Sequence, residues 1–158
     1  MPLVMITGIP CSGKSTVAKK IKEHLENQEK KVMIISEDEA LEQYDEHKNV
    51  TLSDSLKEKT LRSELKGQVL RHLTKDTVVI LDAQNYIKGY RYELYCASKS
   101  VKTTQVTVHC DISPPTAWLW NESRLEEKNR FIFLVFRGFS FRQLKIHQNL
   151  SLLLNNNM

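Results

Sequence analysis

Leu3-Val4-Met5-Ile6-Thr7-Gly8-Ile9-Pro10-Cys11-Ser12-Gly13-Lys14-Ser15-Thr16 opens the chain with a pattern that specifies its fold class. Its first five residues are uncharged and mostly apolar, the pattern of a strand buried on both faces. Gly8 to Ser15 then fit the spacing G-x-x-x-x-G-K-[ST]. Beyond it, Val17, Ala18, Ile21 and Leu25 share one face at helical spacing, with Lys19, Lys20, Lys22 and Glu23 outside that face. Short patterns of this kind arise by chance, so the setting has to decide. Here the setting is strand, glycine-bounded loop, amphipathic helix, as the pattern requires.

The chemistry explains the spacing. Gly8 and Gly13 permit backbone angles and close approaches that a Cβ would forbid. Successive N–H groups can then point into one concavity and meet an anion at the helix N-terminus. Lys14 is placed to put a point charge on the β- and γ-phosphates of a nucleoside triphosphate, and the Ser15 hydroxyl to ligate Mg²⁺. The expected ligand is ATP with Mg²⁺, held by Gly8, Ile9, Pro10, Cys11, Ser12, Gly13, Lys14, Ser15 and Thr16.

Working outward, Lys31 to Ile35 reads as a second buried strand, followed by the acidic stretch Ser36-Glu37-Asp38-Glu39. Residues 42–54 are polar without a strong period and read as loop or frayed helix. Leu61, Leu65, Val69 and Leu73 recur every fourth residue and predict a helix over 55–73, which Gly67 weakens by about 1 kcal/mol without breaking it. Thr77 to Leu81 is a third strand ending in Asp82. Lys88 to Ala97 reads as a short helix, and 104–110 as a fourth strand. Ser113 caps a helix that starts at Pro114-Pro115 and is expected to run to about Asn129. Strands alternating with helices make an α/β fold, a P-loop NTPase with a mainly parallel sheet flanked by helices.

Catalytic candidates follow from this layout. A strand's C-terminal end borders the ligand crevice of such sheets, so Asp82 is placed to hold Mg²⁺ with Ser15, the alternative being a turn or cap residue. Asp38 follows the second strand in the same way and could be a general base, a second metal contact or a solvated charge; Glu37 and Glu39 compete for the role. A transferring phosphoryl group also needs a mobile cation. Arg124 is the candidate, with Arg91 and Lys88 as others, each equally readable as a surface charge. Trp118 and Trp120 read as packing, and the histidines show no ligand pattern.

Composition bounds the rest. The 158 residues are 41% hydrophobic and 27% charged, as in one ordinary globular domain. No run approaches the roughly 18 apolar residues of a membrane helix, and no secretory leader is evident. Three cysteines without ligand spacing (Cys11, Cys96, Cys110) fit reduced thiols and an intracellular location, in cytoplasm or nucleus. Cys11, beside a phosphate loop, is either packing or a thiol of lowered pKa. The net charge of +4 is uneven: from Lys128 onward there are five basic residues and no acidic one, and all five Phe fall there. This break divides a nucleotide-binding domain, 1–127, from an atypical tail, 128–158, in which Ile146, Leu150, Leu153 and Leu154 could line an amphipathic helix, the alternative being an aggregation-prone remnant.

The sequence resembles the killer-toxin-insensitivity (Kti-twelve) family of Elongator-accessory ATPases. The resemblance is carried by Met1 to Val4 leading into Gly8-x-Pro10-Cys11-Ser12-Gly13-Lys14-Ser15, by Ser36 through Leu41 with Asp38-Glu39, and by Thr60 to Leu65. Asp82 with Asn85-Tyr86-Ile87-Lys88-Gly89-Tyr90-Arg91-Tyr92-Glu93-Leu94 is its most specific part, followed by Pro114-Pro115, Trp120-Asn121 and Arg124. It covers about residues 1–127. It implies tRNA-stimulated ATP hydrolysis in support of Elongator-dependent modification of tRNA wobble uridines, with Elongator and tRNA as partners. It also implies kinship with the selenocysteine-pathway seryl-tRNA kinases. Lys14, Ser15, Asp82, Asp38 and Arg124 carry over by this resemblance.

Family members continue through a further strand into a C-terminal helical domain. The tail after Glu127 departs from that pattern, as expected of a truncated or alternatively spliced product. Two other functions stay open on the same residues. One is a kinase that phosphorylates an RNA-attached or small-molecule hydroxyl. The other is an inactive chain that only binds ATP or partners.

Overall fold

A computed structural model describes residues 2–43 and 48–140, the side chain of Lys128 excepted. Four strands form its sheet: β1 (Leu3–Gly8), β2 (Lys31–Ser36), β3 (Thr77–Asp82) and β4 (Gln105–Cys110). All neighbours are parallel, in the order β2-β3-β1-β4. β1 and β3 are central and buried along their whole length, which is why they read as uninterrupted apolar runs. The reading of β2 as buried needs correction. It lies at the sheet edge, where Lys31 and Met33 are exposed and only Ile35 is fully covered. β4 forms the other edge, and Val106 remains half exposed.

Alternation along the strands sends side chains to two faces. Val4, Ile6, Val78 and Ile80 pack with Ala18 of α1 (Lys14–Glu26), supported by Val17, Ile21 and Leu25. Leu3, Met5, Val79 and Leu81 face the larger core, which collects Leu61, Leu65, Val69 and Leu73 from α4 (Ser55–His72) and its C-cap. Tyr90 and Leu94 of α5 (Lys88–Ser100) and Ala117 of α6 (Pro114–Glu122) complete that face.

Residues 48–53, within the stretch 42–54 read as loop or frayed helix, form a helix, and so do residues 37–42. Ser36 caps α2 (Glu37–Glu42) by accepting from the Glu39 N–H, and α3 (Lys48–Ser53) follows. Asp54 then caps α4 by accepting from the Leu56 and Lys57 N–H groups. α6 is shorter than predicted: it ends at Glu122, and a 3-10 turn covers Glu127–Asn129. The cause is Asn121, whose amide donates to the Phe131 carbonyl (2.9 Å) and accepts the Phe131 N–H (2.7 Å). That grip pulls the chain back onto the domain after a loop. Residues 133–140 are helical, and Phe131, Val135, Phe136 and Phe139 all enter the larger core. The change of composition at Glu127 therefore has no counterpart in the packing of residues 131–140. The amphipathic reading at Ile146 to Leu154, like Phe141, lies outside the described residues.

Candidate nucleotide-binding site

The register sets Ile6 of β1 and Ser36 of β2 beside Asp82 of β3. The segments leaving these three strands therefore meet at one end of the sheet, where open α/β sheets bind ligands. A cleft of about 110 Å³ lies there. Its loop side is Cys11 to Thr16, its floor Asp82, Ala83 and Gln84, and its remaining wall Glu37, Asp38, Arg124 and Phe131.

The loop is shaped by its glycines. A Cβ on Gly8 would stand 2.6 Å from Ser12 Oγ and 2.7 Å from the Cys110 carbonyl, closer than real Cβ contacts come. Gly13 precedes α1 in the left-handed conformation (φ 84°), and Cys11 also has positive φ (59°). α1 starts without a side-chain cap and with no acidic residue in its first turn. Its first N–H groups therefore open into the cleft, as an anion site requires. Ser12 Oγ, also in the cleft wall, is buried and has no hydrogen-bond partner among the described residues.

Lys14 is almost completely buried, and its ammonium donates to the Gly8 carbonyl (3.2 Å), the Ile9 carbonyl (2.9 Å) and Gln84 Oε1 (3.5 Å). Burial lowers its pKa, while the charges of Glu37 and Asp82 oppose that shift. Asp82, only 6% exposed, is raised by burial, against a hydrogen bond from the Ser15 hydroxyl and the charge of Lys14. Ser15 and Asp82 thus line the cleft side by side. Glu37 accepts the Gln84 backbone N–H (2.8 Å), and burial pushes its carboxyl up to about 7 against that bond and Lys14.

The structure brings Lys14, Ser15, Asp82, Asp38 and Arg124 into one cleft. Asp38 is exposed at its rim, and Arg124 is half-buried with one guanidinium nitrogen on the Asn129 carbonyl (2.7 Å). It does not bring in the other two cations. Lys88 is exposed at the start of α5, and Arg91 donates to the Asn85 (2.8 Å) and Tyr86 (2.9 Å) carbonyls. Those bonds brace the turn beneath the site. Asn85, at φ 46°, staples the same turn by donating to the Ile6 (2.8 Å) and Leu81 (3.3 Å) carbonyls. A lowered pKa for Cys11 is corrected: burial raises it, against the charges of Arg124, Lys48 and Lys14. Its thiol donates to Asn121 Oδ1 (3.4 Å). Trp118 packs on Phe133 and Phe136, as read.

Sequence reasoning missed Gln84 and Phe131 and left Glu37 as a mere neighbour of Asp38. The position of Gln84 two residues past Asp82 was the available signal. For Phe131 there was none, because its place depends on Asn121.

The parallel sheet, the loop leading into an uncapped helix, and the Lys14, Ser15 and Asp82 constellation define a P-loop nucleotide-binding protein. The model of the family described as "Chromatin associated protein KTI12" matches residues 1–150, and the chain belongs to that family. A KTI12 homolog of Xenopus laevis is 46% identical over 135 residues, covering 84% of this chain and 48% of that protein. The chain thus spans about half the length of that curated relative. The crystal structure of Chaetomium thermophilum Kti12 in complex with ADP-AlF3 superposes with a TM-score of 0.74 at 32% identity, covering 89% of this chain and 79% of that one. The Mycobacterium tuberculosis APS kinase CysC, in complex with AMPPNP and APS, shares the fold at 15% identity (TM-score 0.64; 77% of this chain, 69% of that one).

Proposed function

We propose that this chain binds ATP with Mg²⁺ and hydrolyses it, in support of Elongator-dependent modification of tRNA wobble uridines. The observation that carries the nucleotide chemistry is the convergence of Lys14, the Ser15–Asp82 pair, Asp38 and Arg124 around one loop-bounded cleft. In this reading the loop N–H groups and Lys14 hold the β- and γ-phosphates, and Lys14 exchanges carbonyl partners for phosphate oxygens. Asp38, at the open rim, orients the attacking water. Arg124 neutralises charge developing on the transferred group.

Mg²⁺ fits the donors present. Among the described residues no group of three or more acidic, His or Cys side chains could hold a metal alone. The Ser15 hydroxyl and the Asp82 carboxylate, both in the cleft lining, are hard oxygen donors, and Mg²⁺ takes one or two such ligands together with phosphate oxygens and waters. When bound it would supply charge neutralisation between the β- and γ-phosphates.

Elongator and tRNA as partners are supported by family membership and concern proteins about twice this length. The test is turnover of γ-³²P-labelled ATP with and without bulk tRNA. Label released only as free phosphate, faster with tRNA, supports the ATPase. Label on an RNA or small-molecule hydroxyl would instead establish a kinase, and no release at all would reject both.

A further inference from the structure

Lys48 opens α3 in a stretch whose sequence gave no functional signal, yet only 7% of it is exposed. Lysine is seldom buried to that degree without a partner. The contact that its ammonium makes is with the face of Phe131, 4.4 Å from the ring centroid. Phe131 is itself part of the cleft wall. Lys48 therefore sits directly behind the Phe131 wall of the nucleotide cleft.

Its position is fixed from the neighbouring residue. Asn49 donates to the Arg130 carbonyl (2.8 Å) and accepts the Ile132 N–H (3.1 Å). Asn121 holds the Phe131 backbone between those two bonds. Two amide clamps thus set both the lysine and the ring on which it rests. A cation placed this way loses little further freedom when it meets an anion.

The charges around it point to what it meets. Lys48 feels Asp38 as its strongest favourable charge, and Arg124 as an unfavourable one. Cys11, at the crown of the phosphate loop, feels Arg124, Lys48 and Lys14 together. Three cations therefore lie within electrostatic reach of the loop crown, and two of them, Lys48 and Arg124, repel each other. Holding like charges close in a partly desolvated cleft is unfavourable until an anion enters between them. The loop and Lys14 approach the β- and γ-phosphates from one side, which leaves the far side of the terminal phosphate for the opposite wall.

We infer that Lys48, seated on Phe131, is a second cation of the cleft that works with Arg124 to bind the terminal phosphate of the nucleoside triphosphate. This rests on the nucleotide reading above. It makes Lys48 a residue that senses the γ-phosphate, distinguishing the triphosphate from the diphosphate.

The test compares ATP and ADP binding, with Mg²⁺, by calorimetry on the full chain and on Lys48→Met and Lys48→Arg. Lys48→Met should weaken ATP at least tenfold and ADP less than twofold, while Lys48→Arg, which keeps the charge and the ring contact, retains most of the ATP affinity. If Lys48→Met does not fold, acetic anhydride labelling of the wild-type chain serves instead. ATP should then protect Lys48 severalfold more than ADP does. Equal losses for ATP and ADP in the Met variant, or equal protection of Lys48 by both, would overturn the assignment while leaving nucleotide binding intact. A wild-type chain that binds neither nucleotide would overturn the nucleotide reading itself, and this inference with it.

Discussion

Replacing Asn121 by alanine removes one side chain that ties three parts of the molecule together. Asn121 is 1% exposed, and its amide satisfies both the N–H and the C=O of Phe131 while accepting the Cys11 thiol. In the variant two buried backbone groups lose their partners, at about 1–3 kcal/mol each when left unsatisfied. Partial hydration through the nearby cleft offsets some of this, so the expected loss is about 2–4 kcal/mol. Against a total stability of roughly 5–15 kcal/mol that is a large fraction. At about 2–4 °C per kcal/mol for a domain of this size, the melting temperature should fall by roughly 5–15 °C. Urea unfolding followed by circular dichroism should show a lower midpoint with an unchanged slope. ATP affinity should fall as well, because Phe131 and the loop crown both lose their support. A loss under about 0.5 kcal/mol would refute the claim that Asn121 holds residues 130–132 onto the domain.

Two further outcomes follow from the cleft. Burial raises the Glu37 carboxyl from 4.5 to about 7, so the folded protein binds more protons than the unfolded chain between those values. Stability should therefore fall as pH rises from about 4.5 to about 7 and level off above it. Glu37→Gln keeps an acceptor for the Gln84 N–H and should remove this slope, gaining on the order of 2–3 kcal/mol at pH 8; urea midpoints across that range would show it, and parallel profiles would contradict it. In native protein at pH 8, iodoacetamide should modify the exposed Cys96 at least about tenfold faster than the buried Cys11, whose thiol is raised by burial. Peptide mass spectrometry reads the ratio, and urea should abolish it.

The parts legible in the sequence are those fixed by local rules. β1 and β3 are central, so burial on both faces gives uninterrupted apolar runs, and the phosphate loop announces itself through Gly8, Gly13 and Lys14. Asp82 was readable because a carboxylate at the end of such a strand has few other places to be. β2 looked the same but lies at an edge, and nothing in Lys31 to Ile35 reveals which strands flank it. α2 and α3 are six residues each and bury Lys48, Asn49 and Thr51 along with Leu52, so no apolar period marks them. Their burial comes from residues about 80 positions later, through Asn49 to Arg130 and Lys48 to Phe131. The change in charge and aromatic content after Glu127 stood out in the sequence, but the bonds from Asn121 and Asn49 that fold residues 130–132 into the cleft wall left no trace there.

Direct binding of ATP with Mg²⁺ to the purified chain and to Lys14→Ala shows whether the Gly8–Ser15 loop holds the nucleotide's phosphates. Among the described residues the Lys14 ammonium bonds loop carbonyls and Gln84, so its removal should leave circular dichroism and cooperative unfolding essentially as in the wild type. The wild-type chain should bind saturably, and binding should be lost, or weakened at least about a hundredfold, in the variant, because a charge-assisted contact to two phosphates disappears. Equal affinity in the two proteins, or no binding by the wild type, would contradict that contact.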